Sequence, residues 1–545
     1  MSGGSIVLVS YGEENMFLSY QPQISYFKII YRRYTNFSIE TILTDFLNVP
    51  NFNNVYSASI PKYADLMHKS WLVIELPEIP VLLNFNGEPN NKLKTAWARN
   101  IGYVLVKSIE IVIGNSIIQK TWGEYLQALD EFNFNNYNSP LNQYIGNVPQ
   151  LFKFQPANTI REKYILYIPL NFWFCNSASQ ALPLISLDYD DVIFNVQFNS
   201  IEQCLNVSPT NYIQIQQFYG SPIFNEPLVQ FSNQGVAWAT FDTLDSINTE
   251  DNPNFIVTNS NLYYRKISNQ SFTTTDLSYY DKFNTTDVLN DFFNLNKPTN
   301  YFIYGLWSKS IFIPISNETL TSNNLERTYI YKPFQNTLRL GRTYLLIDYI
   351  FLDKQERVNF FNNKHEYIIE QVYYTGEKIT NNLCDKINLE LINPCSYYIF
   401  MAQLSYMTNQ NVNDHFNYTN TFIRERVSQE TIGLPLIKTN SLLLNSQTIT
   451  GERNMDFYNL IIPFLKFPKC YYPNGMGVYS FSLYPFNIQQ SGTCNLSTFS
   501  NISFLNRYKI TDLNNNNYIF KSYFVTTNIL KIIHGVGATV FYSNY

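Results

Sequence analysis

Any chemistry in this sequence would have to come from very few residues. Only four histidines occur, His68, His365, His415 and His534, far apart and each in an ordinary strand-edge or loop context. A zinc site or a Ser-His-Asp triad would need the fold to bring unrelated segments together. The best carboxylate group is Asp188, Asp190 and Asp191. Carboxylates at i and i+2 on a strand share a face about 7 Å apart, a separation that glycoside hydrolysis could use. The same residues suit a solvated turn leading into the next strand, and turn chemistry is the better match. The phosphate-cradling, dinucleotide-binding, zinc-protease and nucleophile-elbow motifs are all missing. No catalytic residue, cofactor or metal is expected, and the chain reads as structural rather than enzymatic.

The remaining polar chemistry is equally restrained. Six cysteines, Cys175, Cys204, Cys384, Cys395, Cys470 and Cys494, include no C-x-x-C pair and read as buried free thiols in a reducing compartment. The longest basic cluster is Arg32-Arg33, and the net charge is −5, so direct binding of nucleic acid is not expected. No signal peptide is expected, and the longest apolar stretch, Trp71 to Phe85, is broken by Glu75, Pro77, Glu78 and Pro80. Eight N-x-S/T matches occur among 69 asparagines, about the number that chance supplies, and carry no information.

The elements that must position these residues are strands. Charged residues make up 14% of the chain against a typical value of about 25%, while aromatics reach 17%. Such a chain can bury enough surface to offset its ordering entropy, and Asn, Tyr, Phe, Thr and Ile fill helices poorly. Period-2 patterns run through Tyr26–Arg33, Ser108–Ile113, Val192–Phe198 and Tyr479–Leu483. Helical spacing is short: Trp122, Leu126 and Leu129 in one place, Phe457, Leu460 and Ile461 in another.

Those two helices expose a repeat. Each follows a strand and a tight turn (Gly114-Asn115-Ser116; Asn445-Ser446), and each precedes an apolar strand, Tyr164–Phe174 or Val478–Phe486. Tyr26–Arg33 and Tyr367–Tyr374 open the two halves alike, which argues for two copies of one β domain. Asp353 caps a short helix over Lys354–Asn363, and the boundary falls there. Residues 245–300 and 408–432 are rich in Asn, Asp, Ser and Thr. They read as long surface loops, either a presenting surface or tolerated insertions.

The segment Tyr11 to Glu40 resembles the opening motif of the major capsid proteins of nucleocytoplasmic large DNA viruses. The matching positions are Pro22, Gln23, Phe27, Lys28, Tyr31, Arg32, Arg33, Thr35, Asn36 and Phe37. Similar blocks follow in order at residues 65–77, 97–132, 168–187, 343–372, 477–497 and 528–544. Two departures stand out. Asn393–Phe400 replaces the family's usual His-Pro-Val-Lys-Glu strand, and Leu460–Tyr472 lacks the usual Gln and His residues.

The resemblance implies an all-β double jelly roll: two eight-stranded antiparallel β-sandwiches in tandem, with short helices and long surface loops. The expected divisions are an N-terminal arm (1–24) and a first jelly roll (25–353) with a polar insertion around 225–335. A linker helix (354–364) and a second jelly roll (365–545) follow. The family forms homotrimers whose six jelly rolls make pseudohexagonal blocks. These tile an icosahedral shell above an inner viral membrane, with minor capsid proteins beneath and assembly in the host cytoplasm. The partners implied are therefore the chain itself, neighbouring trimers and minor capsid proteins, with an indirect membrane association and no direct nucleic acid. A related scaffold or minor capsid protein, and a glycan-binding jelly roll, are the alternative readings.

Overall fold

The computed structural model describes residues 33–83, 87–133, 140–156, 158–215, 217–232, 235–244, 260–268, 270–273, 302–314, 327–328, 337–408, 412–420, 433–467, 475–509 and 517–541, with scattered positions before residue 33.

Alternating apolar residues need a partner sheet, and here each half supplies its own. In the first half one sheet runs Phe37–Asp45, Thr343–Leu352, Leu66–Leu76, Tyr164–Pro169. Its partner runs Val55–Ser59, Val192–Phe198, Val106–Ile113, Ser116–Trp122. In the second half the orders are His365–Tyr374, Tyr518–Ile533, Pro394–Leu404, Met476–Ser480, and Cys384–Leu389, Ile502–Tyr508, Ile437–Leu444, Gln447–Thr448. With each half's eight strands numbered along the chain, both give 1-8-3-6 and 2-7-4-5, all antiparallel. That order is the jelly roll, and its recurrence establishes the duplication read from the helix and turn spacing.

The period-2 residues fill the sandwiches. Val192, Phe194, Val196 and Phe198 are all buried, while the residues between them stay partly exposed. The first core joins them to Leu72, Ile74, Leu166 and Ile347. The second core is more aromatic: Tyr398 lies 5.1 Å from Phe524 and 5.5 Å from Phe504, ring centre to ring centre. Offset and edge-on ring pairs add about 0.5–1.5 kcal/mol each beyond area burial, which gives the aromatic excess a use.

Three expectations are corrected. The strand expected over Tyr26–Arg33 is not formed at its described positions. Phe27 is fully exposed, Ile29 is 75% exposed, and the first strand is Phe37–Asp45. Alternation alone does not make a strand. Phe37–Asp45 pairs residue for residue with Leu352–Tyr344, whereas no pairing is formed by Phe27, Ile29 or Arg33, the described residues of the earlier segment. Second, the polar region between the last two strands of the first half is not simply loop. Among its described residues, strands between Asn211 and Thr328 build a separate eight-stranded sheet. Its core includes Ile213, Leu228, Ala239, Leu262, Ile303 and Phe312. Thus Ser260–Lys266 is a strand, whereas residues 245–259 and 274–301 lie outside the described residues. Few aliphatics suffice there because those of the core are almost completely buried. Third, Tyr164–Phe174 is a strand only to Pro169; Trp173–Asn176 form a helical turn whose rings enter the core.

The connecting helix spans Lys354–Asn362. Asp353 sits at its N-cap position without a side-chain cap bond, and its carbonyl accepts from Arg357 N at 2.9 Å. Among the described residues no helix is long and apolar enough to cross a membrane.

Candidate assembly interface

The two halves are held by side chains that come from well-separated parts of the sequence. The helix Gly123–Asn133 follows the last strand of the first half's inner hairpin directly. That abrupt entry requires Gly123, because a Cβ there would lie 2.1 Å from the Tyr103 carbonyl oxygen and 2.3 Å from that of Val106. One face of the helix serves its own sandwich through Leu126. The other face, Tyr125, Ala128, Leu129 and Phe132, packs on the outer face of the second half's sheet, against Val372, Tyr397, Ile399, Val478 and Tyr523.

A buried charge network sits at the start of that helix. Lys521 Nζ lies 3.1 Å from Glu124 and 3.2 Å from Glu377, and its side chain is only 8% exposed. Tyr523 and Tyr418 donate their hydroxyls to Glu124 at 2.9 and 3.1 Å. Burial works against the lysine charge, but the two carboxylates outweigh it and hold the pKa above the usual lysine value. Burial and the Glu124 charge push both tyrosines well above theirs. A crevice of about 340 Å³ between the halves opens beside this network, lined in part by Lys521, Glu124, His415 and Tyr374.

Backbone recognition completes the junction. Gln371 donates to the Ile118 carbonyl at 2.6 Å, Asn413 to that of Glu202 at 2.8 Å, and Ser186 to that of Phe360 at 2.8 Å. The Asp188–Asp191 turn has a structural role. Asp190 accepts from Gly537 N at 2.8 Å and Tyr189 N donates to the Gly535 carbonyl at 3.1 Å, clasping the C-terminal hairpin. Asp191 faces Lys62 at 3.8 Å.

The histidines are distributed rather than gathered. His68 is bonded to the Phe174 carbonyl, His365 to that of Phe360 and His415 to that of Gln203, at 2.7–2.8 Å. Burial lowers the pKa of His415. His534 occupies a left-handed turn position at φ 52°. Among the described residues no group of three or more His, Cys, Asp or Glu could hold a metal. Cys175, Cys204, Cys384, Cys395 and Cys494 are free thiols, but only Cys204 and Cys395 are buried, Cys175 and Cys494 being partly exposed and Cys384 exposed; Cys470 lies outside the described residues.

Of the opening-motif residues, Lys28, Tyr31 and Arg32 lie outside the described residues, while Pro22, Gln23, Phe27, Arg33, Thr35 and Asn36 are exposed. Among the described motif residues Phe37 alone enters a sheet, opposite Leu352, with its ring edge-on to Tyr34 at 6.5 Å. Of the junction residues, Asp190 stood out in sequence as part of the carboxylate group, whereas Glu124, Glu377 and Lys521 were not picked out by sequence reasoning. Lys521 did carry a signal, a lone cation inside the aromatic run Tyr518–Val525.

Comparison with known proteins agrees with this architecture. Residues 25–222 match the family described as "Major capsid protein N-terminus", and residues 356–538 match "Large eukaryotic DNA virus major capsid protein". Probable capsid protein 4 of Acanthamoeba polyphaga mimivirus is 31% identical over the full length of both chains. Among solved structures, the Faustovirus major capsid protein is similar with a TM-score of 0.60 at 13% identity, covering 96% of this chain and 94% of that one. The PBCV-1 virus capsid model is similar at 0.57 and 18%, covering 95% and 100%. At such identities the structures speak for the double jelly-roll fold. The full-length relative adds descent, and the chain belongs to the family of major capsid proteins of large eukaryotic DNA viruses.

Proposed function

We propose that this capsid protein works as a homotrimer whose six jelly rolls form a pseudohexagonal block, and that such blocks tile the icosahedral shell. The observation that carries this reading is the rigid tandem of two sandwiches with identical strand order, since three such tandems present six nearly equivalent units around one axis. Low charge density suits it, because a −5 chain packs against many copies of itself with little like-charge repulsion.

In this reading the divisions are an arm over 1–24, a first jelly roll over 25–353, a linker over 354–364 and a second jelly roll over 365–545. The eight-stranded sheet within the first jelly roll, together with the polar insertion around 225–335, forms an outward tower. The arm and the opening motif from Pro22 to Phe37 face inward toward minor capsid proteins, above an inner membrane. Assembly takes place in the host cytoplasm, and the role is structural rather than enzymatic. Light scattering of the purified chain tests the central claim: three 63.8 kDa chains give about 191 kDa, and micrographs show pseudohexagonal particles. A stable monomer at micromolar concentration would overturn it.

A further inference from the structure

The internal duplication leaves one contact made and its counterpart open. Laid over each other without a gap, the helices read Glu124-Tyr125-Leu126-Gln127-Ala128-Leu129 and Asp456-Phe457-Tyr458-Asn459-Leu460-Ile461, with Phe132 and Phe464 three residues further on. Leu126 and Tyr458 each enter their own half's core. Ala128, Leu129 and Phe132 are buried against the neighbouring half. Their counterparts Leu460, Ile461 and Phe464 are 45%, 50% and 83% exposed. Exposed aromatic and aliphatic side chains gathered on one helix face mark an interaction surface.

The receiving surface has a counterpart as well. The segment Lys521-Ser522-Tyr523-Phe524-Val525 of the second half aligns with Arg342-Thr343-Tyr344-Leu345-Leu346 of the first. Sheet register agrees: Tyr523 pairs with Ile399 and through it with Val478, while Tyr344 pairs with Val73 and through it with Tyr167. The first half's outer face therefore offers Tyr344, Leu346, Trp71 and Tyr167, partly exposed, and Ile165, 50% exposed. Arg342 stands where Lys521 stands, with its side chain 65% exposed. Asp456, the counterpart of Glu124, is exposed.

We infer that the helical segment Phe457–Lys466 seats on the outer face of the first jelly roll of a second copy of this chain, as Gly123–Asn133 seats on the second jelly roll within the chain. Phe464 enters beside Ile165 and Tyr167 of that copy, and Asp456 pairs with its Arg342 as Glu124 pairs with Lys521. The helix and the receiving face are different surfaces, so the contact is head-to-tail and closes as a ring rather than as a two-fold dimer. This inference rests on the homotrimer reading and assigns its junction.

Two single variants test it. Phe464→Asp removes the helix side of every junction and Ile165→Asp removes the receiving side. Each alone is expected at 63.8 kDa by light scattering, with the circular dichroism of the parent chain. Mixed, the pair keeps one sound junction and is expected at about 128 kDa, twice the chain mass, and no further. Variants that stay trimeric, or a mixture that stays monomeric, would overturn the inference. Should either variant misfold, the charge exchange Asp456→Arg with Arg342→Asp decides instead. Each single change is expected to lower the trimer fraction at least tenfold and the double change to restore it; no restoration counts against the pairing. A parent chain that is itself monomeric refutes the homotrimer reading, whereas a trimeric parent with trimeric Phe464→Asp refutes only the junction.

Discussion

Replacing Lys521 by Met is the most direct test of how the halves are joined. The substitution conserves the length and apolar stem of the side chain, so what it removes is the charge. Lys521 contacts Glu124 and Glu377 at 3.1 and 3.2 Å. Glu377 is 52% exposed at its side chain and turns to solvent when the lysine is gone. Glu124 is 15% exposed and cannot, so its carboxylate is left in a site of low polarity. Breaking a buried pair from one side costs about 3–5 kcal/mol. Glu124 keeps the hydroxyls of Tyr418 and Tyr523, which places the expected loss at the lower end, about 3 kcal/mol. Urea denaturation of the full chain at pH 7, followed by aromatic fluorescence, reads this as a lower midpoint. Adding Glu124→Gln to Lys521→Met removes the stranded charge and is expected to recover about half of the loss. A Lys521→Met chain within about 1 kcal/mol of the parent, or a double variant less stable than Lys521→Met alone, would refute the reasoning.

Other expectations follow from the same junction. Phe132 is completely buried between the halves, so Phe132→Ala is expected to cost about 3–5 kcal/mol in the same assay. Asp190→Ala deprives the Gly537 amide of its acceptor. It is expected to cost about 1–2 kcal/mol and to speed hydrogen exchange at Gly537 while leaving the sheet amides of Val192–Phe198 unchanged. Burial raises Asp130 from 3.8 to about 7 and Glu370 from 4.5 to about 7. Folded values above the unfolded ones favour the protonated fold, so this contribution is complete below the unfolded values and is lost as pH rises through about 7. Stability is therefore expected to fall as pH rises from the unfolded values to about 7 and to level off above it, and Asp130→Asn with Glu370→Gln to flatten that slope. His415 acts in the opposite direction below its unfolded value of 6.5, because burial lowers its pKa in the fold. An acid limb that steepens when His415 is replaced by Gln contradicts that sign.

Much of the fold was legible because its cause is local. Val192–Phe198 alternates strictly, and a strand buried on one side must do so. The hairpin turn at Asn445-Ser446 needs two left-handed residues, and both adopt φ near 48° and 69°. The repeat was visible in the order of strand, turn and helix, although the halves share few identities. Tyr26–Arg33 misled because alternation by itself does not make a strand: Phe27 and Ile29 alternate like strand residues yet are exposed outside any sheet. The insertion misled for the opposite reason, since a small sheet with few, fully buried aliphatics resembles a polar loop in composition.

By itself, then, the sequence determined the class of structure, the duplication, the position of the linker helix and the lack of catalytic motifs. Each of these depends on residue type and on spacing along a single segment. Only the tertiary structure decided which face of each helix meets which sheet, that Asp190 is a clasp, and that Lys521 is a buried cation between two carboxylates. Those facts join residues 124, 190, 377, 521 and 537, and a charge or an exposed phenylalanine acquires its meaning only from what lies across the space in front of it. The exposed face of Leu460, Ile461 and Phe464 is the clearest case. In sequence it is one more short apolar helix; beside its buried counterpart at Ala128, Leu129 and Phe132, it is an open junction.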